Sequence, residues 1–321
     1  MTPQRFLRLT ALVSLALIAI VAPRTATMPS LILMVASGIA VPLGLGIALA
    51  PTPGKPAPVA HHLIRVVAPV GAAGGILGWL DVPGSPRAIA GAAAHALPCL
   101  VAGLLALERI WPMVRARKLD PLPELAIDAG LLFLPAAAVW LLASRAGMPL
   151  AGFQEPVVTF TAAHFHFAGF AAPIVLGGVG RLLGPASDAR IYRVATVAVC
   201  AGVPLTAIGI ATNHTIEQLS AVTVASGMLC ASIVLVLRAS RSASTRLGAA
   251  LFVLSGASLL LTMALAATFA LTSSAGRGST LQGAVSVQTM IDFHGAMNAI
   301  AFACSALVAL TLQQLPRSAR P

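Results

Sequence analysis

The chain has 321 residues, of which 58% are hydrophobic and only 9% are charged, and its formal net charge is +11. This composition excludes a soluble globular protein, which needs far more polar surface, and it is typical of proteins that cross a membrane many times. The positive charge does not indicate nucleic-acid binding, because the basic residues lie in short connections between apolar runs rather than in a patch interleaved with aromatic side chains.

Ten apolar runs follow one another along the chain, and most have the roughly 17–25 residues that cross the hydrocarbon of a bilayer. The first run is interpreted as a retained span rather than a cleaved signal peptide, because the Ala-Pro-Arg sequence after it is a poor cleavage site. We therefore predict an all-α, polytopic protein of the cell membrane, with residues 1–321 in one transmembrane domain and its functional half at 150–312. The ten runs lie near residues 8–22, 29–50, 63–80, 88–108, 125–143, 156–180, 191–212, 217–237, 247–271 and 286–312.

The basic residues predict the orientation of these spans. When the amino terminus and every second connection are placed on one side, that side holds all but four of the 20 lysine and arginine residues. Positive residues accumulate on the cytoplasmic side, so both termini are predicted to be cytoplasmic. On that inner side, Glu124 and Asp128 are four residues apart at the start of the fifth run, and we expect them to pair with Arg115 and Arg117.

The sixth run carries ionisable side chains well inside an otherwise apolar segment. Glu155 lies at its outer mouth, and His164 and His166 lie near the middle of the membrane. Such groups are costly in hydrocarbon and are usually functional. Helical spacing directs the two histidines to opposite faces. We therefore expect either a helix distorted near Gly169 and Pro173, or one histidine that braces a neighbour while the other works.

Later runs place more polar residues in the same outer half of the membrane, and we predict that they meet the sixth run in one water-poor chamber. The predicted chemistry is acid–base catalysis, because a buried carboxyl group that stays neutral can protonate an alkene. Asp292 is the candidate proton donor, His166 and His294 orient or accept protons, and Glu155 or Glu217 is a second acid. The predicted substrate-binding residues are His164, Asn213, His214, Asn298, Phe160, Phe165, Phe167, Phe170 and Phe293. The aromatic rings of the phenylalanines would stabilise a carbocation.

Two functions fit this pattern. The first is an enzyme acting on a lipidic isoprenoid, most concretely a cyclase or isomerase that begins by protonation. The alternative is a proton-coupled transporter, since buried acids and histidines also relay protons during transport. The predicted partners are membrane lipids and a hydrophobic small-molecule substrate, with no nucleic acid.

No metal and no cofactor are predicted. A metal site built from His164, His166, His214 and His294 is disfavoured, because the i, i+2 spacing of the first two separates them on a helix. His95 has no partner at a useful spacing in the sequence. The four cysteines are interpreted as small buried apolar residues at no metal-ligand spacing; they are Cys99, Cys200, Cys230 and Cys304.

Two short motifs resemble the YndJ-like family of bacterial integral membrane proteins. They are the HFHFAGF sequence of residues 164–170 and His294-Gly295 followed by Asn298. The resemblance covers roughly residues 150–312 and implies a bacterial multi-pass membrane protein, although it carries no mechanism, and some members are labelled transporters. The kind of site, but no motif, is also similar to that of the bacterial integral membrane terpene cyclases.

Overall fold

The computed structural model describes residues 2–25, 27–50, 60–272 and 284–314. The structure is 89% helical, and the described residues contain no β-strand. Within these described ranges, ten helices are long and apolar enough to cross a membrane, which confirms the predicted all-α, polytopic architecture. The orientation of the termini stays a prediction. The spans are Pro3–Arg24, Met28–Ala48, His62–Leu80, Pro86–Ala116, Leu122–Ala146, Val157–Ser187, Arg190–Thr212, His214–Ser242, Arg246–Thr272 and Val287–Gln313.

Large apolar side chains cover the outer surfaces of many spans. Leu12, Val66 and Leu100, for example, are 65%, 70% and 51% exposed. Contiguous apolar surface of this kind is unfavourable in water. It is expected where a helix faces lipid, so the exposed residues agree with the composition of the chain.

The chain divides into two compact units, Met1–Ile174 and Val175–Pro321, with the boundary inside the sixth span. The first unit holds the first five spans and the first part of the sixth. The second unit holds the remainder of the sixth span and the last four. The single transmembrane domain stays a prediction.

Small residues bring the helices of the first unit close together. A Cβ atom added at Gly74 in the third span would lie 2.8 Å from the backbone oxygen of Gly91 in the fourth. One at Gly75 would lie 2.5 Å from the hydroxyl oxygen of Ser37 in the second span and 3.1 Å from His95 Nδ1 in the fourth. Side chains would keep these helices apart, so the glycines allow three spans to meet around His95.

An ion-paired cluster joins the fourth and fifth spans of this unit. Arg109 Nη2 donates to Glu124 Oε2 at 2.8 Å, and Arg109 Nε donates to Asp128 Oδ1. The pairing of the two acids with arginine is confirmed, but the expectation that Arg115 and Arg117 supply it is wrong. The two spans are antiparallel, so the residue opposite the acids lies farther from the connection than either of those arginines.

Serine hydroxyl groups link the spans of the second unit. Ser232 Oγ donates to the carbonyl oxygen of Gly256 at 2.6 Å, and Ser255 Oγ donates to that of Phe302 at 3.0 Å. Such bonds between membrane helices stabilise their packing by about 0.6 kcal/mol each on average. They hold the ninth span against the eighth and the tenth, and the tenth carries the polar residues of this unit.

Candidate functional site

Three side chains form a fully buried group in the first unit, here called the His–Cys cluster: His95, Cys99 and His166. Each is 0% exposed. The Nε2 atoms of the two histidines are 2.9 Å apart, and Cys99 Sγ is 3.5 Å from His95 Nε2. The three potential ligand atoms all lie within 4.8 Å of one another. The fourth and the sixth membrane spans therefore bring one thiol and two imidazole groups together.

The hydrogen bonds of the cluster determine which nitrogen atoms carry hydrogen. His166 Nδ1 lies 2.8 Å from the carbonyl oxygen of Ala162, which can only accept, so Nδ1 carries the hydrogen and Nε2 has a lone pair. His95 Nε2 must then donate in the contact between the two rings. By this assignment His95 Nδ1 is unprotonated, and it has no hydrogen-bond partner among the described residues.

A π-helical turn turns His166 inward. The sixth span is π-helical from Phe165 to Ala171, just before Pro173. Proline has no backbone N–H to donate to the carbonyl oxygen of Gly169, and its ring clashes with that group in a regular helix. The structure thus contains the distortion, which is one of the two alternatives that the sequence left open. His164 remains exposed, and its Nδ1 lies 2.8 Å from the carbonyl oxygen of Phe160.

A second π-helical turn, Ala36–Ala40 in the second span, carries a serine that faces the cluster. Ser37 is 1% exposed, and its hydroxyl oxygen has no hydrogen-bond partner within the described part of the chain. It lies beside Gly75, as does His95 Nδ1. Two buried polar atoms without partners therefore lie at one edge of the His–Cys cluster, an arrangement that is rare in native interiors.

The predicted aromatic residues of the sixth span are packed within the first unit. Phe170 is 0% exposed and its ring occupies the space that a side chain at Gly44 would need. The ring of Phe165 lies 6.2 Å from that of Phe133. Phe167 is buried and Phe160 is half-buried. Their predicted contact with a substrate stays a prediction.

The predicted residues near the ends of the spans have local partners. The backbone N–H of Thr159 donates to Glu155 Oε2 at 3.3 Å at the start of the sixth span. In the second unit, His214 Nδ1 and Glu217 Oε2 are 3.1 Å apart, and the His214 side chain is exposed. Asn213 Oδ1 accepts two backbone N–H groups and caps the eighth span.

The tenth span carries a polar network in the second unit. Thr262 Oγ1 donates to Asn298 Oδ1 at 3.0 Å, and His294 Nδ1 donates to the backbone oxygen of Thr262 at 2.9 Å. Asn298 Nδ2 lies 3.3 Å from His294 Nε2. Nearer the start of the same span, Gln288 Nε2 donates to Asp292 Oδ2 at 2.8 Å. We call these five residues the tenth-span network.

The two groups of predicted residues belong to different units. Glu155, His164, His166 and the four phenylalanines are in the first, and the residues from Asn213 onward, including the 54% exposed Phe293, are in the second. Their convergence in one chamber stays a prediction.

The comparison with protein families identifies the chain. A family model described as YndJ-like protein matches residues 31–302. The chain belongs to the YndJ-like family. It is 27% identical over 206 residues, or 64% of its length, to the Bacillus subtilis (strain 168) protein named "Uncharacterized membrane protein YndJ". That match covers 35% of the relative, so the chain spans about a third of its length. No solved structure matches.

This YndJ-like chain is a multi-pass membrane protein. Two residues of the His–Cys cluster, His95 and Cys99, were not among the site residues predicted from the sequence. They are four residues apart, so a helix places both on one face, and this spacing is the signal that identifies them. The third member, His166, is 71 positions from His95 and was recognised only for its place in an apolar run.

Proposed function

We propose that this YndJ-like protein is an intramembrane acid–base enzyme that acts on a molecule dissolved in lipid. One observation carries the proposal: a carboxyl group and an imidazole, those of Asp292 and His294, lie in the first turns of a single membrane span and are each held by hydrogen bonds. Positioned acids and bases of this kind transfer protons.

The surroundings of Asp292 favour a proton donor. Among the residues that the structure describes, it forms no ion pair, and Gln288 donates to one of its oxygen atoms. The amide of Gln288 fixes one oxygen atom, which leaves the other to carry the proton.

His294 is suited to the opposite role. Its Nδ1 is occupied by the backbone oxygen of Thr262, which sets the tautomer in which Nε2 has the lone pair. Asn298 approaches the same ring and is itself held by the Thr262 hydroxyl group. An imidazole oriented in this way accepts a proton at Nε2.

The most concrete substrate class is an isoprenoid, and the most concrete reaction is isomerisation or cyclisation. The O–H bond of Asp292 breaks as a C–H bond forms at an alkene carbon, which leaves a carbocation. The cation loses a different proton to His294, and that proton returns to Asp292. Product and substrate then have the same formula, and no oxidant or cofactor is consumed.

Proton-coupled transport is the second candidate, and a separate observation favours it. In the part of the chain that the structure describes, four of the ten spans contain π-helical turns: Ala36–Ala40, Phe165–Ala171, Leu235–Ala239, and in the tenth span Met290–Gly295 with Asn298–Cys304. Such turns are frequent at functional sites, and interrupted membrane helices bind substrates in transporters.

Deuterium incorporation tests the enzyme directly. Membranes from a bacterial host that produces isoprenoids are incubated in D₂O with the protein, and the extracted lipids are analysed by mass spectrometry. We expect carbon-bound deuterium in an isoprenoid with the wild type and its loss with Asp292→Asn or His294→Gln. Asp120→Asn, which changes a carboxylate in a connecting loop, is the matched control and should behave like the wild type.

Two results would decide against this proposal. If lipid extracts are identical with and without the protein, the proposal of an isoprenoid enzyme is wrong. Proteoliposomes that acidify in a manner dependent on Asp292, without deuterium in any lipid, assign the network to transport instead.

A further inference from the structure

We infer that the His–Cys cluster of the first unit is a binding site for a cuprous ion, Cu⁺, held by His95 Nε2, His166 Nε2 and Cys99 Sγ. The inference goes beyond the proposed function, because it uses none of the residues of the tenth-span network. It is carried by the chemistry and the geometry of three fully buried donors.

The distances between the donors fit a metal ion. Metal–nitrogen bonds of about 2.0–2.1 Å and a metal–sulfur bond of about 2.3 Å separate two nitrogen atoms by about 3.3–3.6 Å and a nitrogen from a sulfur by about 3.6–3.8 Å. The two Nε2 atoms are 2.9 Å apart and Cys99 Sγ is 3.5 Å from His95 Nε2. The third pair, His166 Nε2 and Cys99 Sγ, lies within 4.8 Å. Shifts of about half an ångström to one ångström therefore admit the ion.

The outer hydrogen bonds also suit ligation. A histidine that binds a metal through Nε2 usually donates its Nδ1–H to a carbonyl group, which fixes the ring. His166 already does so toward Ala162. Moving the hydrogen of His95 from Nε2 to Nδ1 frees Nε2 for the ion.

Charge selects the ion. Binding releases the thiol proton of Cys99, so that the thiolate carries one negative charge: Cu⁺ and the thiol give a copper–thiolate bond and one H⁺. The loaded site is then neutral, which suits a position with no solvent contact. A zinc ion would leave a net positive charge, and structural zinc also takes a fourth ligand. Thiolate and imidazole in a three-donor set are the ligands that copper favours.

The test is a copper titration of the full-length protein in detergent under anaerobic conditions. The metal-free protein competes for Cu⁺ with a coloured cuprous chelator, and bound copper is counted by mass spectrometry. We expect one copper per wild-type chain. Cys99→Ser and His166→Gln should each weaken binding at least about 100-fold, since even outer-shell changes cost 10–100-fold.

Two matched variants control for general effects. His164→Gln changes a histidine on the same turn that has the same kind of Nδ1 contact to a carbonyl group but is exposed. Cys304→Ser changes a half-buried cysteine of the second unit. Both should retain wild-type affinity.

A second measurement does not depend on any variant folding. Cu⁺ should raise the melting temperature of the wild type in proportion to the logarithm of its concentration, whereas Zn²⁺ at equal concentration should not. The inference is overturned if the wild type binds less than about a tenth of an equivalent of Cu⁺ below micromolar free copper, or if Zn²⁺ occupies the site in its place. Equal binding by Cys99→Ser overturns it as well.

Discussion

Replacing Gly75 by alanine tests how tightly the edge of the His–Cys cluster is packed. The added Cβ atom would lie 2.5 Å from both side-chain atoms of Ser37 and 3.1 Å from His95 Nδ1. Because Ser37 is on another span, the new methyl group must push the second and third spans apart or displace the imidazole.

The expected cost follows from these distances. Overpacking by a methyl group costs about 1–3 kcal/mol, and the better helix propensity of alanine returns about 0.5–1 kcal/mol. A net destabilisation of about 1–2 kcal/mol is expected. At Gly46, also buried, the nearest atoms to an added Cβ are 3.8 Å away, so Gly46→Ala should be neutral or slightly stabilising.

The free energy of unfolding is measured in mixed micelles for Gly75→Ala, Ser37→Gly and the double variant. Ser37→Gly removes both of the atoms that clash. Gly75→Ala should therefore cost less than about 0.5 kcal/mol in that background, which is the non-additivity expected of residues in contact. An equal cost in both backgrounds would refute the packing described for this edge. Because Gly75→Ala displaces His95, this variant should also bind copper more weakly than the wild type. Gly46→Ala should bind copper as tightly as the wild type does.

Three other changes have definite outcomes. Arg109→Met leaves the Asp128 carboxylate without its partner and should cost about 3–5 kcal/mol in the same unfolding assay, whereas Arg115→Met, at an exposed site, should change stability by less than about 1 kcal/mol. Thr262→Val removes the hydroxyl group that holds Asn298 and should cost about 0.6–1.7 kcal/mol; an unchanged stability contradicts that hydrogen bond. Copper binding should tighten about tenfold for each pH unit gained between about pH 6 and 8, because one thiol proton leaves per ion, and a flat profile contradicts thiolate ligation.

The spans were predictable from the sequence because crossing a bilayer needs a long apolar segment wherever it occurs. The predicted run near 29–50 and the observed Met28–Ala48 differ by a few residues at most. The fourth span is longer than predicted, Pro86–Ala116 rather than 88–108, because the helix continues past Arg109. That arginine is paired with acids of the next span, so its charge does not end the helix.

The candidate site was less predictable, because contacts between spans are not written in the periodicity of either one. The distortion at Phe165–Ala171 follows from Pro173 and was expected. The pairing of His166 with His95 depends on how the fourth and sixth spans are placed, and on glycines such as Gly75 that let helices approach. For the contact between His95 and Cys99, the sequence itself shows only that the two residues are four positions apart.

X-ray absorption at the copper edge of the loaded protein measures the ligands of the bound ion directly. If His95, His166 and Cys99 bind the ion, we expect two nitrogen neighbours at about 2.0 Å and one sulfur neighbour at about 2.3 Å, which are the bond lengths of imidazole and thiolate ligands in other metal sites. A spectrum with no sulfur neighbour, or with two or more, would contradict the His–Cys cluster as the site.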